Sequence, residues 1–373
     1  MKLDNRQSDL PKFLDRKIGI LLVFLLSCIR PLLKLVQGLE PQGKKRFLII
    51  KLSALGDVVV MLPALRLLKN QYPDSEIVFL GSSSNKEMCL SVPMISKFET
   101  FSIKNIFKLR KEFFTAVIDF DQWVRTTAII AALMKTSFSV GFKSPSQYRH
   151  FAHDEIVEFS KNIHTGSNFW NLTKKLLTKL GNSVTSTFEE DCDKVQKEWL
   201  KTFTHKPTMK HLPENFIVIH PGCGENGVYR QWPIDSWKNL VIMLTQKFNP
   251  TEILITGQGD YEVALAQSIS QAGGTSIAGK VSFQELIEIL TRAKRVYSSN
   301  TGIMHLASFL GNRVIVLNGP TNSVLWKPLW GGLTLNSPVA CAPCLTWGND
   351  YGCSDPVCVK IMTPQLVFEA SNA

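Results

Sequence analysis

The sequence predicts an α/β protein of two doubly wound domains, each a parallel sheet with helices on both faces, preceded by a hydrophobic N-terminal helix. Three observations carry this. At 373 residues the chain exceeds what one core ordinarily organises, which points to two domains of common size. Short apolar runs alternate with segments of helical length and period, the pattern of parallel strands joined by crossover helices. Around residues 181–213 a polar stretch (GNSVTST, EEDCDK, HKPTMKHLPEN) interrupts the alternation once before it resumes. The expected division is therefore an N-terminal segment, 1–43, a first domain, 44–205, and a second, 206–373.

Composition excludes disorder, since 45% of residues are hydrophobic and only 20% charged. The net charge of +11 is uneven, with ten basic and four acidic side chains in residues 1–46. That concentration suits an anionic surface, and on charge alone phospholipid and nucleic acid fit equally. Within the segment, Ile18–Ile29 is apolar before Arg30, Pro31 and Lys34 intervene. A twelve-residue run is short of the roughly 20 residues a spanning helix needs, and no small-residue cleavage site follows, so retention is expected. Two readings stay open: an interfacial or re-entrant anchor, and a helix packed on the protein body.

In the first domain FLII (47–50), IVFLG (77–81), TAVIDF (115–120) and FSVGF (138–142) read as buried strands. A helix from Asp57 towards Tyr72 and another in QWVRTTAIIAALMK join them. The second domain is more regular: strand NFIVIHPG, helix from Asp235, strand EILITG, helix from Asp260, strand TSIAG, helix SFQELIEILTRAK, strand RVYSS, helix from Thr301 and strand RVIVLNG. Two such domains are expected to put the carboxyl ends of their sheets on either side of a central cleft, where ligands bind.

Three strand-to-helix loops could carry chemistry. Lys51-Leu52-Ser53-Ala54-Leu55-Gly56-Asp57 lacks both the GxGxxG and Walker patterns, which argues against dinucleotide binding and P-loop hydrolysis. Asp57 starts a helix, as a capping carboxylate or a catalytic one. HPGCGENGVYRQWP (220–233) offers glycine amides and the forked cation of Arg230 to an anion. Ser299-Asn300-Thr301-Gly302 opens a helix whose positive end suits a diphosphate, and His305, one turn in, is either a site group or a packed core residue. Asp119-Phe120-Asp121 is a DxD pattern, read as structural or acceptor-side rather than metal-binding.

Together KLSALGDVVVMLPAL, HPGCGENGVYRQWPIDSW and SSNTGIMHLASFLGNRVIVLNGPT, followed by a Cys-Pro-Cys segment, resemble glycosyltransferase family 9, the lipopolysaccharide heptosyltransferase-like enzymes, over about residues 46–365. The resemblance implies the GT-B fold of two Rossmann-like domains. It implies an inverting, metal-independent transfer of heptose or a related sugar from an ADP-heptose-like donor to an anionic lipid-linked glycan. It also implies lipopolysaccharide biosynthesis at the cytoplasmic face of the inner membrane, peripheral to it and without nucleic acid. By the same resemblance Asp57 is the general base, and Gly222, Cys223, Arg230, Glu262, Asn300, Thr301, Gly302 and His305 surround the donor. Asn300 departs from the family's usual Asp, and Asp260 competes with Glu262 for the place near the ribose. Lys51, Asp119, Arg125, Lys143 and Arg149 fall to the acceptor side. No catalytic cofactor is implied.

Cys28, Cys89, Cys192 and Cys223 are scattered and read as buried thiols. Cys341, Cys344, Cys353 and Cys358 form C-x2-C-x8-C-x4-C, a spacing open to a structural zinc, disulfides or free thiols, with disulfides disfavoured in the reducing cytosol. The rival functions are a nucleotide-sugar epimerase of the same fold and a non-catalytic sugar-nucleotide sensor.

Overall fold

A computed structural model of the chain describes residues 9–203, 209, 212–248, 251–345, 353 and 355–372. The described residues divide into two compact units, one within Met1–Ser160 and Gly166–Asp191, the other within Lys161–Thr165 and Cys192–Ala373. The boundary expected at 205/206 lies outside the described residues.

The first unit is built on six parallel strands, β1 (Arg46–Ile50), β2 (Glu76–Gly81), β3 (Lys97–Thr100), β4 (Phe113–Asp119), β5 (Lys135–Lys143) and β6 (Glu155–Glu158), in the order β3-β2-β1-β4-β5-β6. The second has β7 (Phe216–His220), β8 (Glu252–Ile255), β9 (Thr275–Ser276), β10 (Arg295–Ser299), β11 (Val314–Asn318) and β12 (Leu333–Asn336), in the order β12-β11-β10-β7-β8-β9. The two orders are the same when each unit is counted from its own first strand. Central strands are apolar throughout because helices cover both faces, and Phe47 to Ile50 are fully buried. Strand order reverses between β1 and β4 and again between β7 and β10, the points where doubly wound sheets place ligands.

The N-terminal helix spans Asp9–Val36 and contains Pro31, so the twelve-residue apolar run is only its middle. Its stretch Asp15–Val36 is long and apolar enough to cross a membrane by length and composition, which corrects the expectation that it is too short. One face is fastened to the first unit at nearly every turn. The Asp15 carboxylate accepts from the amides of Arg125 (3.0 Å) and Thr126 (2.8 Å), capping the helix Arg125–Leu133. Gly19 stands against the Arg125 side chain, where an added Cβ would lie 3.2 Å from Arg125 Cβ. Val23 and Leu26 pack with Ala128, Ala132 and Ala152. Arg30 donates to the Ala152 carbonyl (2.7 Å) and pairs with Asp154 (2.6 Å), which Lys34 also reaches (2.7 Å). Gln37 exchanges two bonds with the Thr136 backbone. The other side of the helix is exposed, and Cys28 with it, contrary to the buried thiol expected there. The anchor and packing readings are therefore not exclusive.

Candidate active site

In the first unit β1 and β4 end in register, with Ile50 opposite Asp119, so the residues following each strand meet. Lys51 is 1% exposed. Its ammonium lies 2.9 Å from Asp121 Oδ1 and 3.0 Å from Asp57 Oδ1, and donates to Gln122 Oε1 at 3.2 Å. Burial opposes that charge, but the carboxylates of Asp121 and Asp57 outweigh it and hold the Lys51 pKa above the ordinary lysine value. Asp121 Oδ2 also accepts from the Leu52 amide (3.1 Å), and Asn85 donates to the Lys51 carbonyl (2.9 Å). The loop is thereby fixed from three sides. Asp57 is in the first turn of the helix Leu55–Gln71, its Oδ2 accepting from the Ala54 amide at 3.0 Å. Its side chain keeps 14% exposure, so Asp57 caps the helix and still reaches solvent.

Of the five acceptor-side residues, four are buried and held by partners, Asp119 in the structural role that was its other reading. Lys51 is buried between carboxylates and offers nothing to a ligand outside the unit. Asp119 and Arg149 are both fully buried and paired with each other, and the guanidinium is completed by the Val124 and Phe142 carbonyls and the Thr127 hydroxyl. Arg149 outweighs the burial that resists ionisation and holds the Asp119 carboxyl below the usual range. Since Asp119 is spent on Arg149 and Asp121 on Lys51, this DxD pattern is an internal charge network. Arg125, 5% exposed, faces Asp15 and the Ser146 carbonyl. Lys143 pairs with Glu158 at the surface (2.7 Å).

In the second unit the corresponding reversal, at β7 and β10, gathers glycines, a guanidinium and a helix start. Glu262 accepts from the Gly224 amide (2.8 Å) through Oε1 and from the Gln258 amide (2.9 Å) through Oε2. A Cβ at Gly222 would stand 2.2 Å from the Glu262 carboxyl carbon, so glycine is what lets the loop approach this carboxylate. Asp260 is exposed. Arg230 donates to the Asn300 carbonyl (2.9 Å) and the Cys223 carbonyl (3.4 Å), and its buried Nε finds no partner among the described residues. Burial pushes the Cys223 thiol up to about 11, which keeps it neutral. Asn300 gives its amide to Asn318 Oδ1 and the Trp326 carbonyl, both at 3.1 Å. Thr301 precedes the helix Gly302–Phe309 without capping it, its hydroxyl lying 3.2 Å from Ser298 Oγ instead. Among the described residues the amides of that first turn thus receive no side-chain cap from Thr301. His305 is 3% exposed, with Trp326 and His164 rings beside it, and burial lowers its pKa to about 3.

Cys341, Cys344, Cys353 and Cys358 are free thiols lining one cavity with Tyr229, Pro320 and Asp355. Burial, and then the neighbouring thiols, raise the pKa of Cys344 and Cys358. Among the described residues no three His, Cys, Asp or Glu side chains are close enough to hold a metal ion. Of the three readings left open by the spacing, the structure carries free thiols gathered around one cavity.

Sequence reasoning missed the pairing of Lys51 with Asp121, and with it Gln122 and Asn85. A signal existed: two apolar strands, FLII and TAVID, each run straight into charge, and neighbouring parallel strands bring such ends together.

A family model described as glycosyltransferase family 9 (heptosyltransferase) matches residues 103–354. Lipopolysaccharide heptosyltransferase 1 of Campylobacter coli is 25% identical over 295 residues, covering 74% of this chain and 84% of that protein. Among solved structures, E. coli heptosyltransferase WaaC with ADP-2-deoxy-2-fluoro heptose aligns with a TM-score of 0.65 at 20% identity, covering 88% of this chain and all of that one. E. coli ADP-heptose lps heptosyltransferase II gives 0.63 at 16%, covering 88% and 97%. The two structures share the fold described above.

Proposed function

Because the chain belongs to glycosyltransferase family 9 and is on that ground a glycosyltransferase, we propose that it moves heptose or a related sugar from an ADP-linked donor to an anionic, lipid-linked lipopolysaccharide-core acceptor at the cytoplasmic face of the inner membrane. The observation that carries the donor half is the Arg230 cluster: a partly unspent guanidinium, the Gly222–Gly224 backbone and an uncapped helix start converge in one unit. Such donors stabilise a diphosphate most when it departs with added charge.

The reaction is a single displacement. The acceptor hydroxyl oxygen bonds to the anomeric carbon as the bond from that carbon to the diphosphate oxygen breaks, and inversion follows. The hydroxyl proton passes to the Asp57 carboxylate, and the electron pair of the broken bond leaves with the nucleoside diphosphate, which Arg230 and the amides at Thr301 and Gly302 receive. Lys51 holds Asp57 in place from the buried side. No divalent ion takes part, because protein cations and amides meet the leaving charge. Glu262, with both oxygens on loop amides, shapes the donor loop. The cysteine cavity has no part in the transfer, and a zinc closed there would serve folding.

Asn300 bears on the choice of sugar, so the decisive experiment is a donor screen by calorimetry and turnover. ADP-heptose is expected to bind more tightly than other ADP-sugars and than UDP- or GDP-sugars, and to be consumed only with a lipopolysaccharide-core acceptor. Preference for a uridine or guanosine donor would overturn the proposal.

A further inference from the structure

The fastened N-terminal helix carries a second apolar face. Ile18, Leu21, Leu25, Ile29, Leu32 and Val36 recur at spacings of three and four residues, which puts them on one stripe of a helix, and they are 37–81% exposed. Phe24 widens the patch through ring contacts with Tyr148 (6.4 Å between centroids) and Phe151 (5.0 Å), both exposed. An apolar area of this extent on one side of a unit marks a contact surface. Exposed cations, Arg16 and Lys17, stand at its N-terminal end.

We propose that this face is a monotopic lipid-binding surface: the helix lies in the plane of an anionic bilayer, its outer stripe among the acyl chains and its inner face still fastened to the first unit. Crossing is disfavoured because Asp15, Arg30 and Lys34 would have to leave their partners for hydrocarbon, where charged side chains are rare and costly. A second copy of the chain is disfavoured by charge. Packing this stripe on a second copy's stripe would bury apolar surface but meet the cations at its N-terminal end with no opposite charge, whereas anionic headgroups supply it. The fastening makes the difference from a flexible tether, since lipid bound to this stripe orients the whole first unit.

The inference deepens the membrane part of the proposed function and does not depend on the transfer chemistry, so its test reads binding and not turnover. Full-length protein is floated with sealed vesicles of phosphatidylcholine, alone or mixed with phosphatidylglycerol. Wild type is expected to float with the mixed vesicles and much less with phosphatidylcholine alone. Leu21→Gln/Leu25→Gln/Leu32→Gln is expected to lower partitioning by on the order of a hundredfold with unfolding temperature unchanged. Lys17→Glu should weaken binding to the mixed vesicles only. Equal flotation of wild type and both variants would overturn the proposal. So would a lipid-free dimer that the leucine variant dissolves while wild type ignores vesicles, or an N-terminal epitope protected from protease inside the vesicles.

Discussion

Replacing Lys51 by methionine removes one ammonium and keeps nearly the same volume. In the folded protein that ammonium lies 2.9 Å from Asp121, which is fully buried, and 3.0 Å from Asp57. Without it Asp121 becomes an uncompensated interior charge, which costs about 3 to 5 kcal/mol. For a unit of this size that is a fall in Tm of roughly 6 to 20 °C. The double variant Lys51→Met/Asp121→Asn removes both charges and is expected to recover most of the loss, because two neutral groups leave no isolated ion. Activity should part from stability here: turnover stays low in the double variant, since Asp57 has lost the group that holds it. Calorimetric unfolding and steady-state kinetics of both variants give the two readouts. A loss below about 1 kcal/mol in the single variant, or no recovery in the double, would refute the buried-network account of the β1–β4 reversal.

Arg230→Ala should weaken ADP binding by about 1.5 to 3 kcal/mol, the scale of a charge-assisted hydrogen bond, with the circular dichroism spectrum unchanged; equal affinity by calorimetry would remove Arg230 from the donor site. Burial holds His164 at about 4 and His305 at about 3, below the ~6.5 of an unfolded histidine. Depressed histidine values mean stability that is fully present above the unfolded pKa and lost as pH falls toward the folded values. At pH 5 the loss is about 2 kcal/mol per histidine. Urea unfolding at pH 7 and pH 5 reads it, and His164→Gln should remove its share; a pH-independent midpoint would contradict the burial argument. EDTA should leave initial rates unchanged, and prompt loss restored by magnesium would reopen metal catalysis, whereas slow inactivation with unfolding would indicate an ion closed among Cys341, Cys344, Cys353 and Cys358.

The nine strands read from sequence are all present, eight of them because each is a mostly apolar run that two helical layers must cover, whereas β9 is only the polar pair Thr275–Ser276 at a sheet edge. The three that escaped, KFET in β3, EIVE in β6 and LTLN in β12, are edge or near-solvent strands with a half-polar pattern. Apolarity does not mark such strands; pairing to a neighbour creates them. The three loops proposed to carry the chemistry were legible from position after a strand. What could not be read was the direction of each charge. Lys51, Asp119, Arg125 and Arg149 look like loop cations and acids in a linear chain, yet each is committed to a partner brought close by the sheet or by the N-terminal helix. Gly222 shows the converse, since its glycine makes sense only once Glu262, forty residues later in the chain, is seen to occupy the space of a Cβ.

The central claim is that Asp57 receives the acceptor proton, and Asp57→Asn tests it with little structural change. The asparagine oxygen can still accept from the Ala54 amide, and Lys51 retains Asp121, so the cap and the buried pair persist. Steady-state release of nucleoside diphosphate, measured with a lipopolysaccharide-core acceptor, is predicted to fall by roughly 10² to 10⁴ in kcat, with donor affinity by calorimetry essentially unchanged. Turnover close to that of the wild type would contradict the claim and leave Asp57 with its capping role alone.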